Sequence, residues 1–395
     1  MHMHETTPQP ARERVVLAGM SLSGDSATLF EQDMAEMELL CDTAGVDVVA
    51  RVVQRRQSIV ASTYFGSGKL DEIRATMRAH DSRALIVDAE LSPGQVRNIE
   101  KAVSAKVLDR SQLILDIFAQ HARTNEAKVQ VELAQMRTLY PRLTRAWSHF
   151  SRQYAGVGTK GPGEKQLEVD RRLIQRRIAE LTRRLANVER ARKTQRQARR
   201  HLPRVALVGY TNVGKSSLLN RLARAHAHVE NKLFATLDTT TRRVHIPGAG
   251  QVVMSDTVGF LRKLPHHLVA SFRSTLEVVR DNELLLIVMD ASGDWNDVQL
   301  ETVEGVLDEL GAQGQPRLQV VNKIDLVDDP YRRKKLELAF PDALFVSAQT
   351  GEGIEELKQH IALSLRERHK HEAMEAAITR KSQPAQQELP GPPPA

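Results

Sequence analysis

The chain has 395 residues, 41% of them apolar and 27% charged, the balance of a water-soluble protein with room for two or three cores. Its single cysteine, Cys41, rules out an internal disulfide, no Cys/His spacing suits zinc, and the longest strongly apolar run, 284–289, is too short to cross a bilayer. The net charge of +7 is uneven: residues 142–204 hold 18 lysines and arginines against five acids, which points to a polyanionic partner held by one region.

Residues 1–13 read as disordered and, lacking an apolar stretch, not as a signal peptide, so a cytoplasmic protein is expected. From Arg14, β-branched runs alternate with helical patterns. Strands are expected at 15–18, 46–53, 85–87 and 107–108, and helices at 28–44, 69–80 and 92–103. This alternation predicts a small parallel α/β subdomain over 14–110. Within it, Gly66-Ser67-Gly68-Lys69 reads as a glycine turn opening a helix; a second anion or nucleotide contact there is the weaker reading.

Over 111–200 the pattern turns to long helices. Val129, Leu133, Met136, Tyr140, Leu143 and Trp147 form one stripe, and Leu167, Ile174, Ile178, Leu181, Leu185 and Val188 another. Two heptad-like stripes of this kind predict a long antiparallel helical hairpin, with Pro141 kinking or ending its first helix. The turn between them, 154–165, carries four glycines and a proline beside Lys160 and Lys165, and suits close approach to a phosphate backbone.

The third unit, 201–368, begins with an apolar run and the motif Gly209-Tyr210-Thr211-Asn212-Val213-Gly214-Lys215-Ser216, followed by a helical pattern. Strand, G-x-x-x-x-G-K-[ST] and helix together form a phosphate-binding loop. Its backbone N–H groups curl round oxyanions, Lys215 reaches the β- and γ-phosphates, and the Ser216 hydroxyl ligates Mg²⁺. A hairpin at 243–246 and 251–254 leads to Asp256-Thr257-Val258-Gly259, where Asp256 can hold Mg²⁺ through its water shell and the Gly259 N–H can meet the γ-phosphate. Strands at 284–289, 318–321 and 344–346, with helices at 298–310, 331–339 and 354–365, complete a doubly wound sheet. Asn322-Lys323-Ile324-Asp325 follows one strand and Ser347-Ala348-Gln349 the next. The Asp325 carboxylate can accept from the N1–H and 2-amino group of guanine, a pairing adenine lacks, so the ligand is GTP rather than ATP. The tail, 369–395, reads as largely disordered.

The threonine closing over Mg²⁺ and the γ-phosphate must lie between the first helix and the hairpin, where Thr236, Thr239, Thr240 and Thr241 all have the chemistry. After Asp256-Thr257-Val258-Gly259 stands Phe260, where many GTPases have a water-orienting glutamine, so hydrolysis is expected to be slow until a partner contributes.

On four stretches the chain resembles the HflX family of ribosome-associated GTPases over roughly 14–365. These are Lys128-Val129-Gln130-Val131-Glu132-Leu133-Ala134-Gln135, Gly158-Thr159-Lys160-Gly161-Pro162-Gly163-Glu164-Lys165-Gln166-Leu167-Glu168, Asp170-Arg171-Arg172 and Phe234-Ala235-Thr236-Leu237-Asp238. The resemblance nominates Thr236 as the second Mg²⁺ ligand and residues 234–238 as a nucleotide-contacting switch, with Lys215, Thr236 and Gly259 acting at the γ-phosphate. It implies a protein, monomeric when free, whose hairpin lies on the RNA of the large (50S) ribosomal subunit with its tip near the peptidyl-transferase centre. There it would split or rescue stalled or idle ribosomes under stress; a checkpoint in large-subunit biogenesis is the alternative. It implies a cytoplasmic location with room for peripheral membrane association, but no insertion. Three departures bear on ribosome contacts: Lys165 and Ala155 at the tip, and a short C-terminal extension.

Overall fold

The computed structural model describes residues 12–146, 162–197, 202–225, 233–263 without 235, 265, 268, 279–293 and 297–382. The first unit alternates strand and helix. β1 (Glu13–Leu22), α1 (Ala27–Ala44), β2 (Val46–Arg56), α2 (Ser67–Ala79), β3 (Ala84–Val87), α3 (Pro93–Val103) and β4 (Lys106–Asp109) build a parallel sheet in the order β2-β1-β3-β4. The two central strands, β1 and β3, carry continuous apolar runs over 15–18 and Ala84–Val87 because both their faces are covered. The edge strand β2 instead carries Asp47, Arg51 and Gln54. α3 starts where sequence rules place it: Ser92 and Gln95 form a capping box, and Pro93 occupies the first turn.

α4 (Arg110–His121) leads into α5 (Asn125–Ala146), and α6 (Pro162–Gln197) returns beside it. Val129 and Leu133 bury against Leu181, with Met136, Ile178 and Leu185 packed around them. Arg177 pairs with Glu132 at 2.6 Å, and Arg171 donates to the Tyr140 hydroxyl at 2.8 Å, so the helices run antiparallel as their stripes require. α5 runs through Pro141 and stops five residues later. Residues 147–161, with most of the glycine-rich turn, lie outside the described residues.

The third unit is a six-stranded sheet in the order β10-β9-β8-β5-β7-β6. It comprises β5 (Arg204–Gly209), β6 (Thr240–Ile246), β7 (Gly250–Asp256), β8 (Leu284–Asp290), β9 (Arg317–Asn322) and β10 (Leu344–Phe345), with α7 (Lys215–Leu222), α8 (Asp297–Glu309), α9 (Pro330–Ala339) and α10 (Ile354–Ser382). Only β6 is antiparallel, as the hairpin partner of β7. α10 continues past the expected stop at 365 because 366–382 contains neither glycine nor proline. The loops carrying all four phosphate and base motifs leave the carboxyl ends of β5, β7, β9 and β10, where ligands sit on open α/β sheets.

Candidate nucleotide site

At the end of β5 the chain turns through Gly214, at φ 89, into α7, whose N-terminus no side chain caps. A Cβ on Gly214 would lie 2.4 Å from Asn322 Nδ2, so only glycine lets this loop close on the loop after β9. Gly259 is confined likewise: a Cβ there would meet Thr211 Cα at 2.6 Å. Lys215 is buried, and its Nζ donates to the carbonyls of Gly209 (3.2 Å) and Tyr210 (2.7 Å). Burial lowers its pKa to about 8, although Asp256 opposes the shift.

Three oxygens converge beside it. Ser216 Oγ lies 2.6 Å from Thr236 Oγ1 and donates to Asp256 Oδ2 at 2.5 Å. Asp256 Oδ1 is buried with no hydrogen-bond partner among the described residues, and desolvation raises this carboxyl above its usual range. Two hydroxyls and a carboxylate with an unmet oxygen are the donor set a hard divalent cation takes, and these residues fit Mg²⁺. Of the four candidate threonines, Thr236 is the one beside Ser216. Thr240 and Thr241 belong to β6, paired with Asp256 and Ser255.

On the base side, Asn322 bridges two loops: its Nδ2 donates to the Val213 carbonyl (2.9 Å), and its Oδ1 accepts from the Ala348 N–H (3.0 Å). Lys323, at φ 63, donates to the Asn212 carbonyl (2.8 Å) and pairs with Asp290 (2.6 Å). Asp325 Oδ1 is buried without a hydrogen-bond partner among the described residues. An orphaned acceptor costs free energy unless a ligand donor meets it. Ser347 holds its own turn through the Thr350 N–H (2.9 Å), and Arg221 on α7 grips the carbonyls of Ala348 (2.8 Å) and Gln349.

Other expected site residues are placed by the core. Thr257 donates to the Leu207 carbonyl (2.7 Å), and Val258, Ile324 and Leu237 are buried. Phe260 is 1% exposed among Ala206, Val208 and Ile287, while its backbone bonds to Gly209 and Thr211. Ala235 lies outside the described residues. Tyr210 points away from the loop. Its hydroxyl donates to Glu36 on α1 and accepts the Arg262 N–H at 2.5 Å. The Asp238 carboxylate reaches the turn before α5.

Glu36, Asp33, Arg110, Arg221 and Arg262 therefore support the site without any sequence signal, since their partners lie far away along the chain. Asp290 had a readable one, an acid ending an apolar strand.

Profile comparisons cover the same three stretches: the family described as GTP-binding GTPase N-terminal matches residues 31–119, GTP-binding GTPase Middle Region 121–199, and 50S ribosome-binding GTPase 204–323. GTPase HflX of Escherichia coli strain K12 is 44% identical over 352 residues, covering 88% of this chain and 82% of its own. GTPase HflX of Magnetococcus marinus is 49% identical over 325 residues, 82% of this chain and 75% of its own. The chain belongs to the HflX family. As an HflX GTPase it is a GTP hydrolase, the activity its four motifs predict. A GTP-binding protein from the hyperthermophilic archaeon Sulfolobus solfataricus, solved with GDP, aligns with 90% of this HflX chain and 99% of its own at 24% identity and a TM-score of 0.45.

Proposed function

We propose that this protein is a cytoplasmic GTPase that docks on the large (50S) ribosomal subunit through its basic hairpin and splits or rescues stalled or idle ribosomes under stress, hydrolysis resetting it. The observation that carries the reading is the hairpin itself. α6 spans 36 residues, about 54 Å at the helical rise, and exposes Arg171, Arg172, Arg176, Arg183, Arg184 and Arg190. So many arginines on one helical arm suit RNA phosphates, with binding that weakens steeply as salt rises. The HflX relatives and the 50S ribosome-binding profile over 204–323 support the same partner. Among the described residues no helix is long and apolar enough to cross a membrane.

In this reading the loop 209–216 and the α7 N-terminus wrap the phosphates, and Lys215 turns from its loop carbonyls to the β- and γ-phosphates. Ser216 and Thr236, with Asp256 behind them, would hold Mg²⁺, which neutralises charge developing on the phosphates. Asn322 ties the phosphate loop to the Ser347–Gln349 turn, so base and phosphate contacts form together. Lys323 lies along the base and Asp325 accepts its two N–H donors.

Lys215 makes binding pH-sensitive. Its folded-state pKa is lowered from the ordinary 10.5 to about 8, so above pH 8 the free protein carries a neutral lysine that must take up a proton to meet phosphate. GDP affinity should fall about tenfold per pH unit above roughly 8. The same shift stabilises the nucleotide-free fold as pH rises from 8 to 10.5, because the buried cation is discharged there before the unfolded one. Fluorescent-GDP titrations from pH 7 to 9 test the first statement; a flat profile refutes it.

Phe260, buried and without a side-chain donor, leaves the attacking water without an orienting group. Purified protein should turn GTP over slowly, and ribosomes should raise kcat strongly; fast turnover alone would count against this. The role is tested by adding the protein with a non-hydrolysable GTP analogue to intact ribosomes and sedimenting the mixture. Free subunits are the expected result. Intact ribosomes, with large-subunit precursors accumulating in a deletion strain, would instead favour the assembly checkpoint. Binding with neither outcome would make the protein a recruiting platform.

A further inference from the structure

Segment 234–238 is held at three points, and two of them lie on the helical unit rather than in the nucleotide site. Thr236 is beside Ser216. Phe234, at φ 54, packs edge-on against Phe118 of α4 with ring centroids 4.7 Å apart. The Asp238 carboxylate accepts from the backbone N–H groups of Arg123 and Thr124, both at 3.0 Å, and from the Thr124 hydroxyl. Thr124 itself starts α5: its Oγ1 accepts from Ala127 N at 3.1 Å and its carbonyl from Lys128 N at 3.0 Å. An acid at this end of α5 is also favoured by the helix dipole.

We propose that Asp238 is a positioning residue rather than a nucleotide ligand, and that it transmits the nucleotide state to the hairpin. Thr236 and Asp238 are two residues apart, about 7 Å of extended chain at most, so the segment cannot move at Thr236 without pulling on the start of α5. With GTP bound, Thr236 is drawn to the phosphates and Asp238 closes the first turn of α5. After hydrolysis the segment loosens, and the hairpin loses a charge-assisted anchor at its root. The coupling rests on the reading that Thr236 meets the nucleotide.

The test uses the full chain. Hydrogen exchange over 122–130 is followed with GDP and with guanylyl imidodiphosphate, in the wild type, Asp238→Asn, Thr124→Ala and Thr124→Ser, alongside the affinities for both nucleotides. In the wild type the amides of 123–128 should exchange about tenfold more slowly with the GTP analogue than with GDP. Asp238→Asn and Thr124→Ala should erase that difference and, by linkage, lower affinity for the analogue up to about tenfold relative to GDP, whose own affinity should stay within about twofold of wild type. Thr124→Ser should keep both the protection and the affinities. A tenfold or larger loss of GDP affinity in Asp238→Asn would make Asp238 a ligand of either nucleotide and overturn the proposal. So would wild-type protection that ignores the nucleotide, or protection that survives in Asp238→Asn. Thr236→Ala separates the two layers: if it leaves the preference between analogue and GDP unchanged, the reading of Thr236 fails and the coupling fails with it.

Discussion

With Asp325→Asn, affinity for GTP should fall by roughly 10²- to 10⁴-fold while affinity for xanthosine triphosphate rises. Asp325 Oδ1 is a buried acceptor with no hydrogen-bond partner among the described residues. A carboxylate facing guanine takes the N1–H and the 2-amino group, two charge-assisted bonds worth about 1.5–3 kcal/mol each. The amide of asparagine presents an N–H₂ where the 2-amino group also donates, so one bond is lost and a donor is set against a donor. Xanthine carries a carbonyl at that carbon and accepts what guanine cannot. Asn322 and Lys323, which bond to Val213 and Asn212, keep the loop in place, so the fold should be unaffected. Competition of GTP and xanthosine triphosphate against a fluorescent nucleotide measures the exchange. Unchanged GTP affinity would remove Asp325 from the site.

Arg110→Met should destabilise the fold by about 3–5 kcal/mol, the cost of leaving buried charge unpaired. Arg110 is 2% exposed and lies where the first sheet meets the third unit. It pairs with Asp88 at 2.8 Å and with Glu36, and donates to the Arg262 carbonyl at 2.8 Å. Glu36 receives the Tyr210 hydroxyl, and Arg262 pairs with Asp33, so one guanidinium holds a network reaching the phosphate loop. Burial raises the Glu36 pKa even with Arg110 present, which lowers it. A raised carboxyl stabilises the fold while protonated and loses that as pH rises through the folded value. The Arg110→Met deficit should therefore be smallest near pH 4.5 and grow towards neutrality. Urea midpoints at pH 5 and 8 measure it. Adding Glu36→Gln and Asp88→Asn should recover much of the loss, because two uncompensated acids disappear; a deficit independent of pH would argue that lost packing, not charge, is responsible.

Much of this architecture was legible because its determinants are local. The parallel layer shows in alternating β-branched and helical runs, and the hairpin in stripes that pair as Val129 and Leu133 with Leu181. α10 outruns the stop at 365 that its apolar stripe predicts for a local reason too: charged 366–382 loses the stripe but keeps its helix propensity. That Phe260 offers no hydrogen-bonding side chain is legible in the sequence. Its place in the core behind the loop, rather than facing a ligand, follows from packing against Ala206, Val208 and Ile287.

By itself the amino-acid sequence determined the ligand class and the order of units. A phosphate loop, Asp-x-x-Gly, Asn-Lys-x-Asp and Ser-Ala are legible because each is a short contiguous run of the residue types that one part of a nucleotide would need from successive backbone groups and neighbouring side chains. Tertiary structure put Thr236, which the family resemblance nominates, beside Ser216, and it alone decided why Tyr210 faces Glu36 of the first unit and that Asp238 reaches Thr124 at the root of the hairpin. Those contacts join residues 20, 174 and 114 positions apart. Periodicity and spacing record only what neighbours along the chain demand of one another; a hydrogen bond across that separation is set by how the sheets and helices pack.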